Sequence, residues 1–229
     1  MSGPQNPGDN KFTAKARMLQ SIHRASIGET EIGVGPTAHA TKDNKPAYYV
    51  NMLVNGEFTG KNFHFSETYE YAKERAEGKS KVETIDKYRL FNNLLSSMPM
   101  AFNIFHTLMM IKKKYPDEIA GILQHVFPDL DIHQVDDIKI EFIPEPIKNY
   151  TNDKTAMDAT ILFSDAEGNK FIIAIEVKYT DSLGAKESGL FTTLGLAKVK
   201  AVCPQIYRNF LLTEKYIIVN LHHLARLVC

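Results

Sequence analysis

The sequence predicts an α/β protein built around a mixed sheet with helices on both faces. Its second half reads in the order helix, strand, strand, strand, helix, strand, and the strands are short runs rich in Ile, Phe, Val and Thr. Two of these strands are joined by a short polar link, which indicates a β-hairpin. The 229 residues are 44% apolar with no net charge, which is typical of a globular protein of one large or two small domains.

The N-terminal part of the chain is predicted to be a helical extension. Residues 1–10 are rich in Pro, Gly and Asn and are expected to be disordered. A helix is predicted over residues 11–27. Its apolar side chains are expected to face inward: Phe12, Leu19 and Ile22. Its basic side chains are expected to face outward: Lys15, Arg17 and Arg24. A short strand at residues 48–54 and a helix from Ser66 to Gly78 complete this extension, which we place at residues 11–80.

The remaining residues, 81–229, form the predicted main domain. Its predicted helices are residues 81–97, 101–113, 116–126 and 203–213, with Pro99 expected to interrupt the first pair. Its predicted strands are residues 138–143, 157–163, 171–179 and 215–220. Strand 138–143 alternates, with its Ile and Phe side chains inward and Asp137, Lys139 and Glu141 on the other face.

The hairpin is predicted to place two carboxylates opposite each other. If its arms pair symmetrically about Glu167, Asp158 falls opposite Glu176, and directly opposed Cβ atoms lie about 5 Å apart. Two negative charges at that separation repel each other, so a divalent cation between them would account for the arrangement. Lys178 lies two residues beyond Glu176 and therefore points to the same face of the strand.

These residues resemble the PD-(D/E)XK nuclease superfamily. An Asp at the start of one strand and Glu-x-Lys on the next correspond here to Asp158 and Glu176-Val177-Lys178. The flanking segments are similar to a bacterial restriction-endonuclease-like branch: RLFNNLLSS (89–97), AFNIF (101–105), IEVKYTD (175–181) and CPQIYRNFLL (203–212). The resemblance spans about residues 65–220 and implies a restriction-endonuclease-like αβββαβ core. It departs from the family pattern at Met157, which stands where the family name has Pro.

The resemblance implies an endonuclease that uses Mg²⁺ or Mn²⁺ to hydrolyse phosphodiester bonds in DNA, with a restriction or defence role. Asp158, Glu176 and the backbone carbonyl of Val177 would bind the metal. Lys178 would orient the attacking water or offset charge in the transition state.

Further site residues are implied outside the hairpin. Gln205, on the helix that follows, would join the catalytic set, and Arg208 one turn later would contact a phosphate. One more acid is often supplied by the first core helix or strand. The candidates for it are Glu83, Glu141 and Glu145, and the sequence does not rank them.

Composition limits the other readings. Two cysteines, Cys203 and Cys229, indicate neither a disulfide framework nor a zinc site. With no apolar run of membrane-spanning length and no signal-peptide pattern, we expect a cytoplasmic protein without membrane association. The alternative function is a catalytically degenerate nuclease fold that acts as a nucleic-acid or protein interaction module. RNA is not excluded as a substrate, and a homodimer is expected if both strands are cut by one site per chain.

Overall fold

The computed structural model describes residues 5–35, 45–78, 85–143 and 156–180, and the backbone of 216–220. The chain packs as two compact units, Met1–Lys79 with Ile85–Asn103, and Ser80–Thr84 with Ile104–Cys229. The division between residues 103 and 104 lies within a helix. The sequence predicted a domain boundary at residue 80, and that boundary stays a prediction. None of the helices described is long and apolar enough to cross a membrane.

The first unit is mainly helical. Its helices are α1 (Lys11–Ser26), α2 (Gly56–Thr59), α3 (Ser66–Glu77), α4 (Lys87–Asn92) and the start of α5 (Ser97–Lys114). The strand predicted at residues 48–54 is not formed, because Met52 N–H donates to Tyr49 O at 3.0 Å and turns the chain there. Among the described residues this segment forms two isolated bridges, Val34 to Tyr48 and Met52 to Asn93.

Helix α1 forms as predicted, but its orientation was predicted wrongly. Arg24 is only 1% exposed, whereas Ile22 is 54% exposed. The Arg24 guanidinium donates to the carbonyl oxygens of Val50 at 2.9 Å, Glu29 at 2.5 Å and Glu31 at 2.6 Å. Because buried guanidinium groups require such acceptors, Arg24 ties α1 to the following loop.

Arg17 is buried on the same inner side of α1. Its Nε and Nη2 form a bidentate pair with Asp9 at 2.6 and 2.9 Å, and its Nη1 donates to Asn51 Oδ1. The guanidinium also lies 5.1 Å from the centre of the Tyr49 ring. A bidentate carboxylate and an aromatic face are favoured partners of arginine, so both basic residues expected outside are structural.

The helical region before and after Pro99 also differs from the prediction. Residues 79–84 lie outside the described part, and α4 ends where Asn93 becomes extended, with φ −103° and ψ 102°. Helix α5 begins at Ser97, so Pro99 lies in its first turn instead of interrupting it. Proline is tolerated there because the first-turn N–H groups have no intrahelical acceptor.

Gly56 is expected to contribute to the stability of the first unit because a larger residue does not fit there. A Cβ at this position would lie 1.9 Å from the carbonyl oxygen of Phe91, a backbone atom that cannot simply rotate away. We expect Gly56→Ala to lower the free energy of unfolding by about 2–3 kcal/mol, measured by urea denaturation. The matched control is Gly121→Ala in α6 (Ile119–Val126), where nothing lies within 4 Å of the new Cβ. That change should stabilise by about 0.5–1 kcal/mol, and equal effects of both would contradict the prediction.

The second unit contains a mixed four-stranded sheet. Its strands are β1 (Gln134–Phe142), β2 (Met157–Ser164), β3 (Lys170–Glu176) and β4 (Tyr216–Asn220), in the order β1-β2-β3-β4. The first three strands are antiparallel neighbours, and β4 is parallel to β3. The mixed α/β class is confirmed. The helix predicted between β3 and β4, at residues 203–213, lies outside the described residues.

The register of the hairpin is the predicted one. Ser164 pairs with Lys170 and Phe163 with Phe171, and the ladder continues to Ala159 opposite Ile175. The apolar face of β3 is buried, since Ile173 is 0% exposed and Ile175 is 2% exposed. The two arms are therefore held by core packing along their length.

A polar cluster joins the strands at the end of the sheet where the hairpin link lies, away from Asp158 and Glu176. Asp136 lies in a bulge between Val135 and Asp137, and its Oδ2 accepts from Ser164 Oγ at 2.8 Å and Lys170 Nζ at 2.9 Å. Burial alone would raise the pKa of Asp136, but the hydrogen bonds from Lys170 and Ser164 outweigh it and the pKa is lowered. Three strands are thus joined by one carboxylate, which fixes the sheet that carries the candidate site.

Candidate functional site

Three carboxylate residues occupy one row across the sheet. Ile140 pairs with Ala159 and Phe142 with Met157, so Glu141 on β1 lies opposite Asp158 on β2. The next strand continues the row, because Ala159 pairs with Ile175 and Asp158 is therefore level with Glu176. Opposed residues on adjacent strands share a face, so Asp158 and Glu176 face the same side of the sheet. Glu141 lies near enough for its charge to raise the pKa of Asp158.

Each member of the hairpin pair has one defined partner. Val177 N–H donates to Asp158 Oδ2 at 2.6 Å, and Lys178 Nζ lies 2.5 Å from Glu176 Oε1. The Lys178 side chain is 28% exposed and that of Glu176 is 44% exposed. An ion pair this open to water contributes at most about 1 kcal/mol to stability. Its main consequence is to hold the Lys178 ammonium beside the acidic row.

The charge of this row is costly for Asp158. Burial raises the pKa of the Asp158 carboxyl, the charges of Glu176 and Glu141 raise it further, and it reaches about 7. The Val177 N–H and the Lys178 charge act in the opposite direction without offsetting the rise. Buried like charges on adjacent strands destabilise a sheet. A carboxyl whose pKa is raised by burial and by neighbouring carboxylates is therefore a candidate functional group.

Glu141 is the further acid that the structure brings to the row. It is 7% exposed and has a φ of 50°, in the left-handed region that residues other than glycine seldom adopt. Such a backbone costs about 1–3 kcal/mol, and residues strained in this way cluster at functional sites. The sequence signal for Glu141 was its place on the polar face of its strand. What the sequence lacked was the register between β1 and β2.

The other predicted site residues cannot be placed. Gln205, Arg208, Glu83 and Glu145 all lie outside the described residues. The structure therefore brings together Asp158, Glu176, Val177 and Lys178 with Glu141, and the roles of all these residues remain proposals.

The donor set of the row suits a hard divalent cation. Carboxylate and backbone carbonyl oxygens are the ligands that Mg²⁺ and Mn²⁺ prefer. Val177 N–H occupies one oxygen of Asp158, and Lys178 occupies one oxygen of Glu176. Among the residues that the structure describes, each carboxylate keeps a second oxygen with which to coordinate. Within the described ranges no group of three or more His, Cys, Asp or Glu side chains is arranged to hold a metal by itself. Water and substrate oxygens would have to complete the coordination, as is usual for Mg²⁺.

Thr160, two residues from Asp158 on β2, has a buried hydroxyl that forms no hydrogen bond with any described residue. Its side chain is 0% exposed, and its Oγ1 has no hydrogen-bond partner in the described part of the protein. An unsatisfied buried hydroxyl costs about 1–3 kcal/mol, whereas the isosteric Val has no such group. We expect Thr160→Val to raise the free energy of unfolding by about 1 kcal/mol, measured by urea denaturation. Destabilisation by this change would mean that the hydroxyl has a partner.

Comparison with known proteins gives a family and nothing closer. A sequence model described as the PD-(D/E)XK nuclease superfamily matches residues 7–227, nearly the whole chain. Neither the curated proteins nor the solved structures searched contain a match. The matched range includes β1, β2, β3 and the acidic row on them. The chain therefore belongs to the PD-(D/E)XK nuclease superfamily.

Proposed function

We propose that this protein is a divalent-metal-dependent endonuclease that hydrolyses phosphodiester bonds in DNA. The observation that carries the proposal is the opposition of Asp158 and Glu176. Burial, and then the charge of Glu176, raise the pKa of Asp158 to about 7. Without a ligand, the repulsion and burial of these carboxylates destabilise the fold. A divalent cation between them would relieve both effects.

The residues of the site have distinct roles in this proposal. Asp158, Glu176 and the Val177 carbonyl would hold Mg²⁺ or Mn²⁺. A bound metal supplies Lewis-acid stabilisation of the phosphate and lowers the pKa of a coordinated water. Lys178 would orient the attacking water and offset negative charge in the transition state. The Val177 N–H fixes the orientation of the Asp158 carboxylate through a hydrogen bond of 2.6 Å.

Glu141 is our choice for the additional acid. It lies opposite Asp158 in the sheet, and its charge contributes to the raised pKa of Asp158. From there it would bind the metal directly or through a water. Gln205 and Arg208 stay in the proposal through the family resemblance alone, Gln205 as a catalytic residue and Arg208 as a phosphate contact. A homodimer, a restriction or defence role and a cytoplasmic location belong to the same proposal.

The proposal is tested by incubating the purified protein with supercoiled plasmid in Mg²⁺, Mn²⁺ or EDTA. We expect nicked or linear DNA with either metal and intact plasmid in EDTA. DNA and RNA share the phosphodiester that the proposed reaction attacks, so a parallel incubation with RNA of similar length is needed. Cleavage of the plasmid and not of the RNA identifies DNA as the substrate. Cleavage that persists in EDTA would contradict a metal-dependent reaction.

One observation favours the second candidate, an interaction module without turnover. Lys178 lies 2.5 Å from Glu176 Oε1, and in the described residues no metal-ready group of three ligands is formed. In that case the ion pair would neutralise Glu176 in place of a metal. A module of this kind should bind nucleic acid or a protein partner but leave plasmid intact at every metal concentration.

A further inference from the structure

The first unit contains a pocket that the catalytic proposal does not use. It has a volume of about 320 Å³ and is lined by residues of α2, α3 and α4. Its apolar wall consists of Phe58, Tyr69 and Phe91. Tyr69 and Phe91 meet edge to face, with ring centres 6.1 Å apart and an angle of 88° between the rings. These contacts give the pocket a fixed aromatic floor, since edge-to-face pairs are a preferred arrangement.

Phe58 differs from the other two aromatic residues because it is 80% exposed. It is nevertheless held by an ordered turn. Phe58 N–H donates to Asn55 O at 2.9 Å, and the Tyr69 hydroxyl donates to Glu57 O at 2.7 Å. Gly56 N–H donates to Asn92 Oδ1 at 2.9 Å and ties the same turn to the end of α4. These bonds order the backbone that carries Phe58, so less backbone entropy is lost when its ring stacks on a ligand.

The charged residues of the pocket balance each other. Lys73 and Lys87 line it together with Glu57 and Glu77, two positive and two negative groups. Lys73 Nζ is placed over the Tyr69 ring, 5.1 Å from its centre. A phosphate alone or a strongly charged peptide would meet like charge here. A neutral ring whose edge has both donors and acceptors suits the pocket, because lysine donates to ring nitrogen and carbonyl acceptors and glutamate accepts from amino groups.

We propose that this pocket receives one unpaired nucleobase of the nucleic acid, stacked on Phe58 with its polar edge toward the lysine and glutamate groups. The inference rests on the proposed function in that the ligand is taken to be the nucleic-acid substrate. It adds a feature of substrate selection: single-stranded or locally unpaired sites should bind more tightly than a continuous duplex, in which every base is stacked and paired.

The test uses a fluorescein-labelled single-stranded DNA of twelve nucleotides with one central 2-aminopurine, in EDTA so that no cleavage occurs. Anisotropy gives the affinity, and stacking of the 2-aminopurine on a side chain changes its fluorescence. Phe58→Ala should weaken binding roughly five- to 100-fold and abolish the 2-aminopurine signal, while Phe58→Trp should keep both. The matched control is Ile22→Ala on α1, a side chain that is also exposed, at 54%, but lies outside the pocket.

The outcomes separate this inference from the proposed endonuclease. Binding is measured in EDTA on the oligonucleotide and cleavage is measured with metal on the plasmid, so each result can fail while the other succeeds. The inference would be overturned if Phe58→Ala left affinity and fluorescence unchanged, or if the unmodified protein gave no 2-aminopurine signal. Neither result would bear on the proposed plasmid cleavage. A Phe58→Ala protein that changes only its sedimentation would also overturn it, because Phe58 would then serve self-association.

Discussion

Replacing Lys178 with Ala is expected to reduce plasmid cleavage by about 10²–10⁴-fold with little change in stability. The reason is that Lys178 Nζ is the positive group held at the acidic row, 2.5 Å from Glu176 Oε1. In the proposed reaction its removal would delete both the orientation of the attacking water and the offset of transition-state charge. The partly exposed ion pair itself contributes at most about 1 kcal/mol to folding, so loss of activity should not reflect unfolding.

Lys170→Ala is the matched control for this change. Lys170 lies on the same strand, β3, but at its other end, where it pairs with Asp136 at 2.9 Å. Its side chain is 70% exposed, so its removal should cost no more than about 1 kcal/mol and leave the cleavage rate within about twofold. If Lys178→Ala retained cleavage at the level of Lys170→Ala, the assignment of Lys178 to the reaction would be wrong.

Asp158→Asn is expected to stabilise the metal-free protein at alkaline pH while it abolishes cleavage. The folded-state pKa of Asp158 is raised to about 7, above the value near 3.9 expected in the unfolded chain. Between these values the folded protein binds more protons than the unfolded one, so stability is full at low pH and is lost as pH rises through about 7. Three pKa units correspond to about 4 kcal/mol, and partial exposure of the site reduces this to about 2–4 kcal/mol.

Urea denaturation in EDTA at pH 5 and pH 8 measures this effect. Asp158→Asn should be about 2–4 kcal/mol more stable than the unmodified protein at pH 8, with a smaller difference at pH 5. Asp136→Asn is the control of opposite sign, because the pKa of Asp136 is lowered by its hydrogen bonds to Lys170 and Ser164. It should be less stable than the unmodified protein at pH 8. An Asp158→Asn protein destabilised at pH 8 would show that the acidic row is not a cost to the fold.

Much of the sheet could be predicted from the sequence because its determinants are local. The hairpin has a short link with Asp165, Gly168 and Asn169, and Asn169 N–H and Nδ2 donate to the two oxygens of Asp165 at 2.8 Å each. That turn fixes the register, and the register places Asp158 level with Glu176 by counting alone. The metal-binding hypothesis followed from those two residues.

Other features depend on contacts that are distant in sequence. The apolar periodicity of α1 predicted the wrong inner face, because Arg24 finds its acceptors at Val50, Glu29 and Glu31. Burial of a basic side chain with enough acceptors overrides the hydrophobic pattern. Glu141 could not be selected among three acids because no short turn joins β1 to β2 and a bulge shifts their register between Val135 and Asp137.

The central claim is that Asp158 and Glu176 form a divalent-metal site. The most direct measurement is the anomalous scattering of Mn²⁺ in crystals of the unmodified protein grown with MnCl₂ near pH 8. The account predicts an anomalous peak within about 2.0–2.3 Å of a carboxylate oxygen of Asp158 and of Glu176, with water completing the coordination. A well-ordered crystal with no peak at this pair, or with Mn²⁺ bound only elsewhere, would contradict it.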